Sequence, residues 1–148
     1  MMKKIILSII CLISMAHFSG CKKDKIVYEA RPEITFVSIS PGSVNAYSDE
    51  VTIRIAYTDG DGDLGENVSG VENAFITDTR SNLTYSLRIR QLGPDNEELI
   101  IKGEIDLIIP GIGISGTSNE TATFSVYIKD RAGNQSNVIT SSAITIVP

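Results

Sequence analysis

The sequence of 148 residues contains no tryptophan, one histidine and two cysteines. His17 and Cys11 both lie within the first 20 residues, so the chain that follows them has Cys21 as its single thiol and no imidazole. Without histidine, this part of the chain cannot form the serine–histidine or cysteine–histidine pairs of nucleophilic enzymes. It also lacks the ligands of zinc sites built from His and Cys. No internal disulfide can form, so the fold depends on a hydrophobic core, for which the length suffices in one domain.

Positive charge is also scarce. The chain has 13 Lys and Arg residues against 18 Asp and Glu residues, a net charge of −5. Without the first 20 residues, which include Lys3 and Lys4, 11 basic residues face 18 acidic ones and the net charge becomes −7. No basic patch of the kind that phosphate recognition requires is present, so we expect no nucleic-acid partner.

The first 21 residues have the pattern of an export signal. Lys3 and Lys4 precede an apolar run over residues 5–16, and small residues precede Cys21. This run is shorter than the roughly 20 apolar residues that a transmembrane helix needs. We therefore predict a signal peptide over residues 1–20 that is cleaved immediately before Cys21. The alternative is cleavage at a nearby position by the ordinary signal peptidase, which needs no cysteine.

The segment Phe18-Ser19-Gly20-Cys21 resembles the lipobox of bacterial lipoproteins, with Phe18 in the position usually held by Leu. The resemblance implies that Cys21 carries acyl chains, which together suffice for stable membrane anchoring. Lys22 follows, whereas the inner-membrane retention signal of Gram-negative lipoproteins has Asp there. The likeness thus points to the outer membrane. Residues 21–32 look like the charged tether of Bacteroidetes-type lipoproteins, and both the periplasmic and the cell-surface face stay open.

From Glu33 onward, short alternating apolar runs are separated by Gly, Asn, Asp, Ser and Pro. This period is typical of half-buried strands. The predicted strands cover residues 34–40, 50–58, 74–79, 83–90, 99–109, 121–129 and 138–147. About seven strands predict one all-β domain over residues 33–148, an antiparallel β-sandwich that resembles immunoglobulin-like, fibronectin-like and cadherin-like domains. The tryptophan and paired cysteines of antibody domains are absent.

The segment Asp59-Gly60-Asp61-Gly62-Asp63-Leu64-Gly65 places three carboxylates at alternate positions. Calcium takes six to eight oxygen ligands, and glycines permit the tight turns that bring such ligands around one ion. The segment resembles the first half of an EF-hand loop but has Leu64 and Gly70 where that loop has its invariant Gly and its bidentate Glu. We therefore predict a calcium loop on a β scaffold, with a solvated acidic turn as the alternative.

A second segment, Asp130-Arg131-Ala132-Gly133-Asn134, follows a later predicted strand. Asp59 and Asp130 each continue the inward face of the preceding strand, and the two connections lie at the same end of an immunoglobulin-type sandwich, so we expect these carboxylates to converge. The turn resembles the last hairpin of bacterial Ig-like and cadherin-like modules, which implies calcium at a domain end. Its alternative is an ordinary Asp-capped hairpin. The predicted metal ligands are Asp59, Asp61, Asp63, Asp130 and Asn134.

A glycine-rich loop over residues 110–119 contains Ile112 and Ile114. Two exposed isoleucines would form a small apolar contact site. We expect them instead to pack against the edge of the sandwich.

These observations favour a lipid-anchored, non-catalytic binding or adhesion module of the cell envelope, with Ca²⁺ as a structural ion and a protein or glycan as ligand. The alternative is a carbohydrate-binding accessory lipoprotein of an outer-membrane glycan uptake system, although the lack of tryptophan counts against it. A hydrolase with paired carboxylates is the weakest of the three hypotheses, because the acidic residues are grouped as metal ligands would be.

Overall fold

The computed structural model describes residues 28–94 and 99–148. The predicted signal peptide, Cys21 and the first part of the predicted tether lie outside these residues. Within the described part of the chain, no helix is long and apolar enough to cross a membrane.

The described residues form ten strands and no helix. The strands are β1 (Glu33–Ser40), β2 (Ser43–Asn45), β3 (Glu50–Asp59), β4 (Ala74–Asp78), β5 (Thr84–Leu87), β6 (Ile101–Pro110), β7 (Glu120–Ala122), β8 (Phe124–Ile128), β9 (Ile139–Thr140) and β10 (Ile144–Val147). The predicted all-β class and β-sandwich architecture are confirmed.

The strands belong to three sheets. In the first, β3 pairs antiparallel with both β1 and β6. In the second, β10 lies between β7, to which it is antiparallel, and β2, to which it is parallel. In the third, β4 and β8 are central and β5 and β9 form the edges.

One hydrophobic core joins the three sheets. Alternate residues of each long strand face it, because successive side chains of a strand point to opposite faces. Its buried members are Ile34, Val44, Val51, Ile53, Ile55, Leu64, Ala74, Ile76, Ile89, Leu107, Ile109, Ile112, Ala122, Phe124, Val126, Ile128, Ile144 and Ile146. Full burial of a Val, Leu, Ile or Phe side chain contributes roughly 1.5–3 kcal/mol, so these residues form the main stabilising element of a domain without disulfides.

The strands number ten instead of about seven because the chain changes sheets inside two of the predicted segments. The segment predicted over 121–129 is divided at Thr123 into β7 and β8, which belong to different sheets. The segment predicted over 138–147 is likewise divided into β9 and β10. The short strand β2 has no counterpart among the predicted strands, since three residues give too little alternation to recognise.

The expected packing of the glycine-rich loop is confirmed. Ile112 is fully buried, and Ile114 is partly buried against the core. Tyr47 fixes this loop, because its backbone N–H donates to the carbonyl of Ile112 and its hydroxyl is 3.0 Å from the carbonyl oxygen of Ile114.

Candidate metal centre

Two strands deliver acidic residues to one end of the domain. In β3, Val51, Ile53 and Ile55 face the core, and Asp59 ends the strand on the same face with no exposed surface. Asp130 follows β8 in the same way and is 7% exposed. The alternation of the strands therefore carries two carboxylates to the end of the core.

The carboxylates of Asp59, Asp63 and Asp130 meet at this end. Each offers one oxygen, and the three oxygens lie within 4.8 Å of one another. The expected convergence of Asp59 and Asp130 is thereby confirmed, and Asp63 joins them from the loop that follows β3. Such spacing allows a single cation to contact all three groups, since calcium–oxygen distances are about 2.3–2.6 Å.

Asp59 is only half satisfied by hydrogen bonds. Its Oδ2 accepts a hydrogen bond of 2.9 Å from the backbone N–H of Leu64, while its Oδ1 is buried and has no hydrogen-bond partner among the described residues. Leu64 is fully buried and forms an isolated β-bridge with Asp130. The side chain of Leu64 thus anchors the acidic loop in the core and holds its carboxylates beside the second loop.

Asp63 connects the two loops directly. Its Oδ2 accepts a hydrogen bond of 3.0 Å from the N–H of Ala132, and its backbone carbonyl accepts one of 3.3 Å from the N–H of Arg131. The Oδ1 atoms of Asp63 and Asp61 are both buried and have no hydrogen-bond partner in the described structure. Asp61 lies outside the group of three converging oxygens, so it is a neighbouring acid with one unsatisfied oxygen.

Asn134 reaches the cluster through Asp130. Its backbone N–H donates to Oδ1 of Asp130 at 2.7 Å, and its side-chain Nδ2 donates to Oδ2 at 2.8 Å. These two bonds orient the Asp130 carboxylate. Each carboxylate oxygen can accept more than one bond, so Asp130 keeps the capacity to bind a cation.

The fold opposes ionisation of Asp59 and Asp63. The pKa of Asp59 is raised to about 6, mainly by burial; the hydrogen bond from Leu64 opposes this rise, and the negative charges of the other three aspartates add to it. Burial is also the main cause of the raised pKa of Asp63, and the negative charges of Asp130 and Asp61 contribute to the rise. A buried carboxylate with an orphaned oxygen is costly unless it is neutralised or paired. A bound cation would both compensate the negative charge and coordinate the oxygens that lack a hydrogen-bond partner.

The sequence analysis assigned no role in this geometry to Arg131. The guanidinium of Arg131 donates to the carbonyl of Gly65 at 3.1 Å and lowers the pKa of Asp63 by its charge. Gly62 has φ +75°, as expected for a glycine of this tight turn, and a Cβ atom there would overlap the carbonyl oxygen of Leu99. The sequence contains a signal for Gly62, as a glycine between two aspartates, but none for the backbone that lies against it.

Comparison with protein-family models, with curated proteins and with solved structures gives no match for this chain. The function of this end of the domain is therefore argued from its geometry and chemistry.

Proposed function

We propose that the chain is a lipid-anchored, non-catalytic binding or adhesion module of the cell envelope, whose loops at one end are stiffened by a Ca²⁺ ion. Asp59, Asp63 and Asp130 supply the central ligands, with Asp61 beside them. Asn134 acts with Asp130.

The observation that carries the proposal is a set of unsatisfied carboxylate oxygens at a point of convergence. Oδ1 of Asp59 and Oδ1 of Asp63 are buried without a hydrogen-bond partner among the described residues, in a group whose three oxygens lie within 4.8 Å. In native proteins, a buried polar atom without a partner calls for an explanation such as an ion. An acidic turn in solvent would expose these atoms, which argues against that alternative.

Calcium fits this donor set better than other common ions do. The donors are carboxylates, with neither imidazole nor thiolate among the described residues, which favours a hard cation over zinc or copper. Magnesium demands near-ideal octahedral geometry and usually keeps several waters, whereas calcium accepts irregular sets of oxygens. Asp59, Asp63 and Asp130 come from two loops and differ in burial, and such an irregular set of oxygens suits calcium.

Calorimetric titration with CaCl₂ after chelation tests the ligand assignment. We expect saturable binding to the purified chain and a loss of affinity of at least about tenfold in Asp63→Asn, because one charged ligand is removed. Asp106→Asn is the matched control: Asp106 is exposed and pairs with Arg54 midway along the paired strands β3 and β6, so its removal should leave binding unchanged. Equal affinity in wild type and Asp63→Asn would refute the assignment.

Membrane attachment is the second part of the proposal and is supported by the sequence around Cys21. Cys21→Ala removes the acyl-accepting thiol, so we expect the variant to leave the membrane fraction on cell fractionation, while Ser19→Ala stays with it. Membrane retention of Cys21→Ala would contradict the anchor.

One observation favours the carbohydrate-binding alternative. Phe75 and Tyr127 stack across β4 and β8 with ring centroids 4.9 Å apart, on the side of the sheet opposite the core. Lys129 lies over Phe75, with its Nζ 5.5 Å from the ring centroid. Aromatic pairs of this kind also stabilise sheets without any ligand. Glycan binding that disappears in Tyr127→Ala is the result this alternative requires.

A further inference from the structure

The proposed ion lies beside the segment that leads out of the domain towards the start of the chain. We call residues 28–32 the exit segment, since they connect the sandwich to residues 1–27. The exit segment lies between the loop over residues 59–65 and the loop over residues 130–137, and it contacts both. Any effect of the ion on this segment depends on the cation site proposed above.

The first contact is with the acidic loop. A Cβ atom at Gly60 would overlap the carbonyl oxygen of Glu29 and would lie 2.8 Å from that of Tyr28. Gly60 separates Asp59 from Asp61, so the exit segment lies directly against the backbone between two of the acids. Lys102, which pairs with Thr58 just before Asp59, donates from Nζ to the Tyr28 hydroxyl at 2.6 Å and lies over the Tyr28 ring.

The second contact is with the loop that begins at Asp130. The guanidinium of Arg31 donates to the backbone carbonyls of Gln135 and Ser136, the latter at 3.0 Å. Just beyond the exit segment, the side chain of Asn137 accepts from the N–H of Ile34 and donates to its carbonyl, both at 2.8 Å. The start of the domain is thus hydrogen-bonded to the loop that carries Asp130.

We infer that cation binding at the acidic loops holds the exit segment against the domain, so that ion occupancy controls how freely the exit segment moves away from the domain. Without the ion, the clustered carboxylates repel one another and favour separation of the loop over 59–65 from the loop over 130–137. The exit segment contacts both loops, so their separation breaks one of its two sets of contacts. With the ion, the loops are joined and both sets persist. This is a shift between locally closed and locally open states.

Proteolysis at Glu29 measures this freedom. A glutamate-specific protease that does not require calcium cleaves after Glu29, which is exposed and whose backbone lies against Gly60. For the purified full chain in detergent, we expect cleavage there to be about tenfold slower in CaCl₂ than in EDTA, because proteolysis follows the population of the open state. Mass spectrometry identifies the product that begins at Ala30.

Two variants distinguish the effect of ion binding from the effect of the Arg31 hydrogen bonds. Asp59→Asn removes an ion ligand, so its cleavage at Glu29 should no longer respond to calcium. Arg31→Ala removes the bonds to Gln135 and Ser136 but no ligand, so it should bind calcium and still be cleaved faster than wild type. Arg54→Ala is the matched control for loss of an arginine, because Arg54 pairs with Asp106 away from both loops, and it should behave as wild type.

Calorimetry on the same samples distinguishes the ways in which the inference can fail. Calcium binding without any change in cleavage at Glu29 would overturn the inference and leave the cation site intact. If calcium slows cleavage after Glu29 equally in Arg31→Ala and in wild type, the inference that the contacts of Arg31 with the second loop hold the exit segment is overturned. Absence of calcium binding at millimolar concentration would overturn both the site and the inference.

Discussion

Asp59 is a fully buried carboxylate whose ionisation the metal-free fold opposes. Its environment is made by main-chain geometry as much as by other side chains, because the one hydrogen bond that its carboxylate accepts within the described part of the chain comes from the N–H of Leu64. Burial is the main cause of its raised pKa of about 6, compared with an ordinary value of 3.8. The charge with which Asp59 would bind the proposed cation is therefore also a source of instability when no cation is present.

This raised pKa predicts an unusual pH dependence for the metal-free protein. Between about pH 4 and pH 6, the folded state retains the Asp59 proton that the unfolded state loses. The contribution of Asp59 is therefore fully present below its ordinary pKa of 3.8 and is lost as the pH rises through about 6. In EDTA, urea unfolding should show a decrease in this contribution to the free energy of unfolding from pH 4 to pH 7. Saturating calcium should remove the decrease.

Asp59→Asn isolates this effect from the titration of other acids. The amide is nearly the same size and carries no charge, so the metal-free variant should lack the decrease that wild type shows over the same pH range. Parallel pH profiles for wild type and Asp59→Asn in EDTA would contradict the assignment of the effect to Asp59.

Alternate aspartates can be recognised as candidate ligands from sequence, but the atoms that orient them cannot. The N–H groups of Leu64 and Ala132 each donate to a carboxylate of the proposed cation site. Backbone donors exist at every residue other than proline, so their identity in the sequence carries no signal. The role of Asn134 as a donor to Asp130 also depends on a local turn geometry that spacing alone does not define.

At the level of elements, side chains complete the hydrogen-bonding ladder where strands are short. The hydroxyls of Ser136 and Ser141 accept from the N–H groups of Ile128 and Phe124, at the two ends of β8. Between them, β9 pairs over only two residues. The sequence predicts one continuous strand over 138–147 because the alternation continues through the segment, while in the structure the pairing partner changes.

Asn73 performs a similar function next to the acidic loop. It is buried, its Oδ1 accepts from the N–H of Ile89 at 2.6 Å, and its Nδ2 donates to the carbonyl of Ile89 at 3.1 Å. Asn73→Ala leaves these buried backbone groups with fewer partners, so we expect a loss of about 1–3 kcal/mol in the free energy of unfolding measured by urea denaturation. Asn119→Ala, at an exposed position, should change it by less than about 0.5 kcal/mol. A neutral Asn73→Ala would show that the bridge to Ile89 does not stabilise the fold.

For the whole molecule, the all-β class follows from the period of the apolar residues, whereas the three-sheet arrangement does not. Alternation identifies which face of a strand is buried but not which strand lies beside it. The pairing of β7 with β10 and of β8 with β4 is a property of the assembled core. The same limit applies to the exit segment, because its contacts with residues 59–65 and 130–137 join parts of the chain that are distant in sequence.

We propose that a cation joins the two acidic loops of this domain. The melting temperature of the purified chain, measured after chelation and again at saturating CaCl₂ with NaCl of equal ionic strength as control, tests this bridge. A ligand that binds only the native state at about 100 times its dissociation constant stabilises it by about 2.7 kcal/mol, which corresponds to a rise of roughly 10 °C for a domain of this size. We expect a calcium-specific rise of this order, and a melting temperature unaffected by millimolar calcium would show that no cation joins the loops.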